Sequence, residues 1–165
     1  MIRNIDDFQR VWKYEKDETL KLFSALTDES LSQKATEDGR SLGFLAWHLV
    51  CSLGMVTETG LDVGAPGFDS EAPTKASEII EAFEKGAERV SDLIAANWDD
   101  ETLLVENEMY GEMWAKGTTL FYLLMHHSHH RGQITILMRL AGLPVHGVYG
   151  PSKEEWAEMG MPAMA

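Results

Sequence analysis

Cys51 is the lone cysteine in 165 residues, so an intrachain disulfide and any Cys-rich zinc module are excluded. Basic residues are scarce too. Fourteen Lys and Arg stand against 27 Asp and Glu, a formal charge of -13, and no Lys/Arg cluster occurs. Phosphate backbones need such clusters, so a general nucleic-acid binder is excluded and an anionic membrane surface disfavoured. No run of about 18 consecutive apolar residues appears, so no segment is expected to span a membrane. Met1 to Arg10 carries acidic residues and no apolar segment, unlike a signal peptide. A cytoplasmic location is the resulting expectation.

The remaining composition is ordinary for a globular chain, with 44% apolar and 25% charged residues. The length predicts one domain over residues 1–165 with a sizeable core. Apolar residues recur at helical spacing in four long stretches. The first runs from about Ile5 to Leu26 through Phe8, Trp12, Leu20 and Phe23, with Asp6 and Thr27-Asp28 near its ends. The second runs from about Ser41 to Thr57, with Leu42, Leu45, Leu49 and Leu53 on one face, and ends near Gly60. A Gly/Pro-punctuated loop follows to Pro73.

The third helix is expected from Thr74 to Asn97 through Ile79, Ile80, Phe83, Val90, Leu93 and Ile94. Thr102 to Trp114 alternates imperfectly and reads as a poor hairpin or extended crossover. The last long helix covers about Thr118 to Ala141, stopped by Gly142 and Pro144. Ser152-Lys153-Glu154-Glu155 is a capping box for a short terminal helix carrying Trp156. Four amphipathic helices in so small a domain imply an all-α helical bundle.

Histidine is concentrated. Four of the six lie in His126-His127-Ser128-His129-His130, inside the last long helix. Relative to the stripe of Leu120, Leu123, Ile134, Leu137 and Ala141, His130 points inward at about 100° per residue. On the same count His126 and His127 lie to either side of it, and His129 points away. His48 falls between Leu45 and Leu49 in angle and so faces the core. Three inward imidazoles need partners, since a buried unsatisfied polar group costs about 1–3 kcal/mol. A shared metal ion supplies them together, and three ligands leave a position open, as in reactive sites. Spacing leaves open whether His126 or His127 pairs with His130, because i,i+3 and i,i+4 both work.

The string His126-His127-Ser128-His129-His130-Arg131-Gly132-Gln133 resembles the C-terminal helix signature of the DinB family of damage-inducible proteins. That pattern is a His, three residues, then His-Arg-Gly-Gln, with a further histidine on the second helix, as in Phe44-Leu45-Ala46-Trp47-His48-Leu49. The resemblance covers nearly the whole chain. It implies His48, His126 and His130 as metal ligands and gives His127 no such role. It implies a four-helix bundle of up-down-down-up topology, with a long crossover before the last main helix.

Some members of the wider superfamily are similar to thiol-dependent S-transferases and isomerases. The expectation is a metal-dependent enzyme, by S-transfer to or from a low-molecular-weight thiol or by hydrolysis, acting on a small molecule. Zinc is the leading metal, with nickel and iron accepted by the same ligands. A homodimer is implied by the same resemblance. The alternatives are a non-catalytic metal-binding stress-response protein and a dimeric helical interaction module. Cys51 is expected to be buried and inert, Gln133 to orient a ligand or serve as an ordinary helix residue, and Gly132 to permit close helix approach. Glu106, Glu108 and Glu112 read as a solvated acidic loop, His146 as a loop residue, and Met159, Met161 and Met164 as tail. Trp47, Trp98, Trp114 and Trp156 are expected in core or subunit interface.

Overall fold

The computed structural model describes residues 2–162; Met164 of the expected tail lies outside them. The chain is mostly helical, with helices α1 (Ile5–Phe23), α2 (Leu42–Ser52), α3 (Ala76–Asn97), α4 (Lys116–Leu140) and the short α5 (Glu155–Glu158). A small antiparallel sheet of β1 (Glu106–Met109) and β2 (Glu112–Ala115) precedes α4. The imperfect alternation before α4 is thus a hairpin. Its turn is Tyr110-Gly111, both at positive φ (54° and 80°), as a two-residue turn between twisted strands requires.

Helix ends follow local chemistry in four cases. The Asn4 side chain accepts from Asp7 N–H at 2.7 Å and caps α1, in place of the expected Asp6. Ser41 caps α2 through Phe44 N–H at 3.1 Å. At the far end of α4, Gly142 sits at φ 73° and Leu143 N–H reaches Met138 C=O at 2.9 Å, a left-handed stop only glycine adopts freely. Ser152 and Glu155 exchange the two hydrogen bonds of a capping box.

Several boundaries differ from expectation, α2 among them, whose regular helix stops at Ser52 and not at about Thr57. α1 ends at Phe23, short of the expected Leu26, and residues 29–32 form a separate 3-10 turn. α3 starts at Ala76, not Thr74, because its cap comes from elsewhere in the chain. Asp28 accepts from Ala76 N–H at 2.9 Å and pairs with Lys75 at 2.7 Å.

α1 packs on α3 and α4, and α2 packs on the same two helices. The interior they share holds Phe8, Trp12, Phe23, Leu49, Leu53, Ile79, Phe83, Leu120 and Leu123, all buried. α2 continues through Ser52 into a 3-10 segment, Leu53–Thr59. The joined stretch Leu42–Thr59 is long and apolar enough to cross a membrane by length and composition. It includes His48 and Glu58, and 67% of it is buried in the bundle, so in this fold it is an interior element. Gly132 does not bring helices together: it is exposed, and a Cβ added there would meet nothing within 4 Å.

Candidate metal centre

His126 and His130 stand one turn apart on α4, with ring centroids 4.4 Å from each other. α2 brings His48 against both, at 5.0 Å from His126 and 4.6 Å from His130. One ring nitrogen from each of the three lies within 4.8 Å of the others, a group that can hold a metal ion. His48 is half-buried at the rim rather than in the core, so its helical angle indicated its side but not its depth.

The donor set fits a metal on two observations. The Nε2 atoms of His48 and His126 face each other at 2.9 Å, and on neutral rings such a pair forms at most one hydrogen bond. His130 Nδ1 lies 2.8 Å from Gln133 Oε1, an acceptor, so the proton sits on Nδ1 and Nε2 keeps its lone pair. Gln133 Nε2 also touches His129 Nε2 at 3.2 Å, and His129 is exposed, as its angle predicts. Glu106, Glu108 and Glu112 are exposed on the hairpin and outside the group.

His127 goes the other way. It is fully buried between Trp12 at 5.5 Å and Phe83 at 5.8 Å. Ser52 donates its hydroxyl to Leu49 C=O at 2.9 Å, so its oxygen accepts from His127 Nε2–H at 3.0 Å. His127 Nδ1 is then a buried atom without a partner. Each fully buried Leu or Phe around it contributes about 1.5–3 kcal/mol, which together outweighs one unsatisfied acceptor. Of the two pairings left open by spacing, the fold assembles His126 with His130.

Burial, followed by mutual repulsion and the Arg40 charge, pushes His48 and His126 down to about 4. Burial lowers His130 as well, against the opposing hydrogen bond to Gln133, and lowers fully buried His127 too. All are therefore neutral, the ligating form, at physiological pH. In the metal-free protein these depressed values have a thermodynamic consequence. Below about pH 6.5 the unfolded chain binds protons that the folded chain refuses, so stability is lost as pH falls from there toward 4. At pH 5, unfolding should take up about two to four protons, read from the pH dependence of the urea midpoint. A slope below one proton would contradict burial of these rings.

Several residues around the site escaped the sequence reading. Arg131, next to His130, is buried and bonds to the Glu15 carboxylate, to Thr19 Oγ1 at 2.9 Å and to Tyr149 Oη at 2.7 Å. Glu15 was detectable, since it falls on the inward stripe of α1 with Phe8, Trp12 and Leu22. Phe44 stacks on His48 at 6.0 Å, and Phe68, from the loop before α3, lies 5.4 Å away. That loop is tied down where Ser70 accepts from Trp47 Nε1 at 3.0 Å. Cys51 is buried as expected, its thiol pushed up by desolvation, so it is no nucleophile. Trp98 is buried, Trp47, Trp114 and Trp156 half-buried; His146 sits 3.5 Å from Glu155.

A helical bundle with three histidines converging from two helices defines a class of protein. The DinB family model matches residues 1–162, and the chain belongs to the DinB family. It is 41% identical over 164 residues to the Bacillus subtilis (strain 168) protein YrdA, spanning 99% of this chain and 98% of that one. A crystal structure of a DinB-like protein from Bacillus cereus ATCC 10987 is similar at TM-score 0.87 and 37% identity, covering 90% of this chain and all of that one. The DinB-like protein YjoA of Bacillus subtilis shares the fold at TM-score 0.66 and 18% identity, over 84% and 95% of the two chains.

Proposed function

We propose that His48, His126 and His130 hold one divalent metal ion, and that the protein is a metal-dependent enzyme acting on a small molecule. The observation that carries this reading is the convergence of three neutral imidazole nitrogens within 4.8 Å, one of them oriented by Gln133. The group contains three protein ligands, which leaves a position for substrate. When bound, the ion acts as a Lewis acid that acidifies a thiol or a water molecule. Thiol transfer using a low-molecular-weight thiol is preferred over hydrolysis, on superfamily precedent.

The chain's own residues do the rest. Phe44 and Phe68 flank the His48 ring with apolar surface. Gln133 fixes the His130 tautomer, and the buried Arg131–Glu15 pair fastens that turn of α4 to α1. Zinc is the leading metal, with nickel and iron as alternatives for imidazole ligands. The reading also includes up-down-down-up topology, supported by contacts that climb α1 and α4 together, Trp12 on His127 and Thr19 on Arg131. It includes a cytoplasmic location and pairing of two copies. Exposed Phe121, Met125, Ile136 and Leu140 along one face of α4 favour the pairing.

Elemental analysis of protein purified without an affinity tag tests the reading. About one zinc, nickel or iron per chain is expected. At a free metal concentration 100 times Kd, the ion should add about 2.7 kcal/mol of stability. No bound metal, together with no change in Tm on adding any divalent ion, would overturn it.

A further inference from the structure

We propose that Arg40, Phe44 and Phe68 form a recognition rim for a small carboxylic acid with an apolar body, placing it at the three-histidine group. The proposal deepens the metal reading and rests on it for what lies beneath the substrate.

Arg40 stands just ahead of Ser41, the cap of α2, and its guanidinium lies over the Phe44 ring at 5.1 Å. The Phe44 ring is in turn nearly parallel to His48, at 6.0 Å and 9°. Residues 40, 44 and 48 thus form a continuous ladder from a cation to a ligand imidazole. Phe68 approaches His48 from the loop before α3. Both aromatics remain available to a ligand, Phe44 being 42% and Phe68 56% exposed.

Arg40 is also unspent. Arg3, Arg10, Arg131 and Arg139 each pair with a carboxylate, and Arg89 donates to Asp62 C=O. Among the described residues, Arg40 alone of the arginines makes neither an ion pair nor a hydrogen bond, in a chain with 27 carboxylates. The Arg40 charge reaches all three histidines of the group. The net charge of -13 does not repel an anion here, because exposed charges are screened beyond about 8 Å at physiological ionic strength.

The chemistry of these groups selects the ligand. A guanidinium presents a planar fork that matches a carboxylate with two parallel hydrogen bonds. The aromatic faces favour an apolar body between that carboxylate and the histidines. A neutral or cationic substrate would leave Arg40 without a partner.

Benzoate is the probe, titrated into zinc-loaded and metal-free protein and followed by NMR shifts of the site, with benzamide and inorganic phosphate as controls. Benzoate should bind the wild type, and benzamide at least about tenfold more weakly, as loss of a charge-assisted hydrogen bond requires. Arg40→Gln should lose benzoate by a similar factor, and Arg40→Lys should recover part of it. Zinc affinity of Arg40→Gln should be unchanged or higher, since a nearby positive charge is removed. Equal benzoate binding by wild type and Arg40→Gln, or tighter binding of phosphate, would overturn the rim. If zinc fails to bind the wild type, the metal reading fails by itself. The metal-free titration then decides the rim, which is sustained by Arg40-dependent benzoate binding and overturned by its absence.

Discussion

Arg131→Met is expected to destabilise the protein by about 3–5 kcal/mol, the cost of stranding a buried charge. Arg131 is 2% exposed and Glu15 4%, so neither side chain can turn to water when its partner is removed. The guanidinium bonds the Glu15 carboxylate, Glu15 C=O at 3.0 Å, Thr19 and Tyr149, and Tyr149 Oη in turn donates to Glu15 at 2.6 Å. Removing the cation leaves a carboxylate in a low-dielectric interior with the Tyr149 hydroxyl as its remaining donor. For a chain of this size the midpoint should fall by roughly 6–20 °C. The double variant Glu15→Leu/Arg131→Met should recover most of the loss, because a buried pair replaced by apolar groups is often neutral. Urea titrations of the single and double variants measure this. A single-variant loss under about 1 kcal/mol would show that water reaches the pair.

That ion pair marks the boundary of what could be read from the chain. Signals contained within a few residues were legible: Ser41 before an apolar run, Gly142 after one, and the Ser152–Glu155 box. Features that depend on distant segments were not. The start of α3 is set by Asp28, 48 residues away, and the partner of Arg131 lies 116 residues away on α1. The family signature pointed to His48, His126 and His130, whereas helical angles alone left His126 and His127 equivalent. They differ because Ser52, Trp12 and Phe83 make a place for His127 in the core, and that place belongs to three separate helices. Gly132 was assigned to close helix packing and proved exposed, because a glycine's neighbours are not encoded in its position.

His126→Ala should abolish stoichiometric metal binding, while Gln133→Leu should weaken it by about 10–100-fold. The two substitutions separate a proposed ligand from the residue proposed to orient one. His126 contributes a nitrogen 2.9 Å from that of His48, so its loss leaves two imidazoles and a gap where the third stood. Gln133 contributes no nitrogen to the group. It holds the proton of His130 on Nδ1, and leucine there frees the ring to rotate and to exchange tautomers. The metal-free fold should tolerate both changes, since His126 is half-buried and Gln133 exposed. His127→Ala, by contrast, should lower stability through a cavity between Trp12 and Phe83 and leave the metal stoichiometry intact. Zinc titration by calorimetry, with urea midpoints of the metal-free variants, distinguishes the three. Retention of one tightly bound zinc by His126→Ala would overturn the three-histidine assignment, and loss of the metal in His127→Ala alone would move the site into the core.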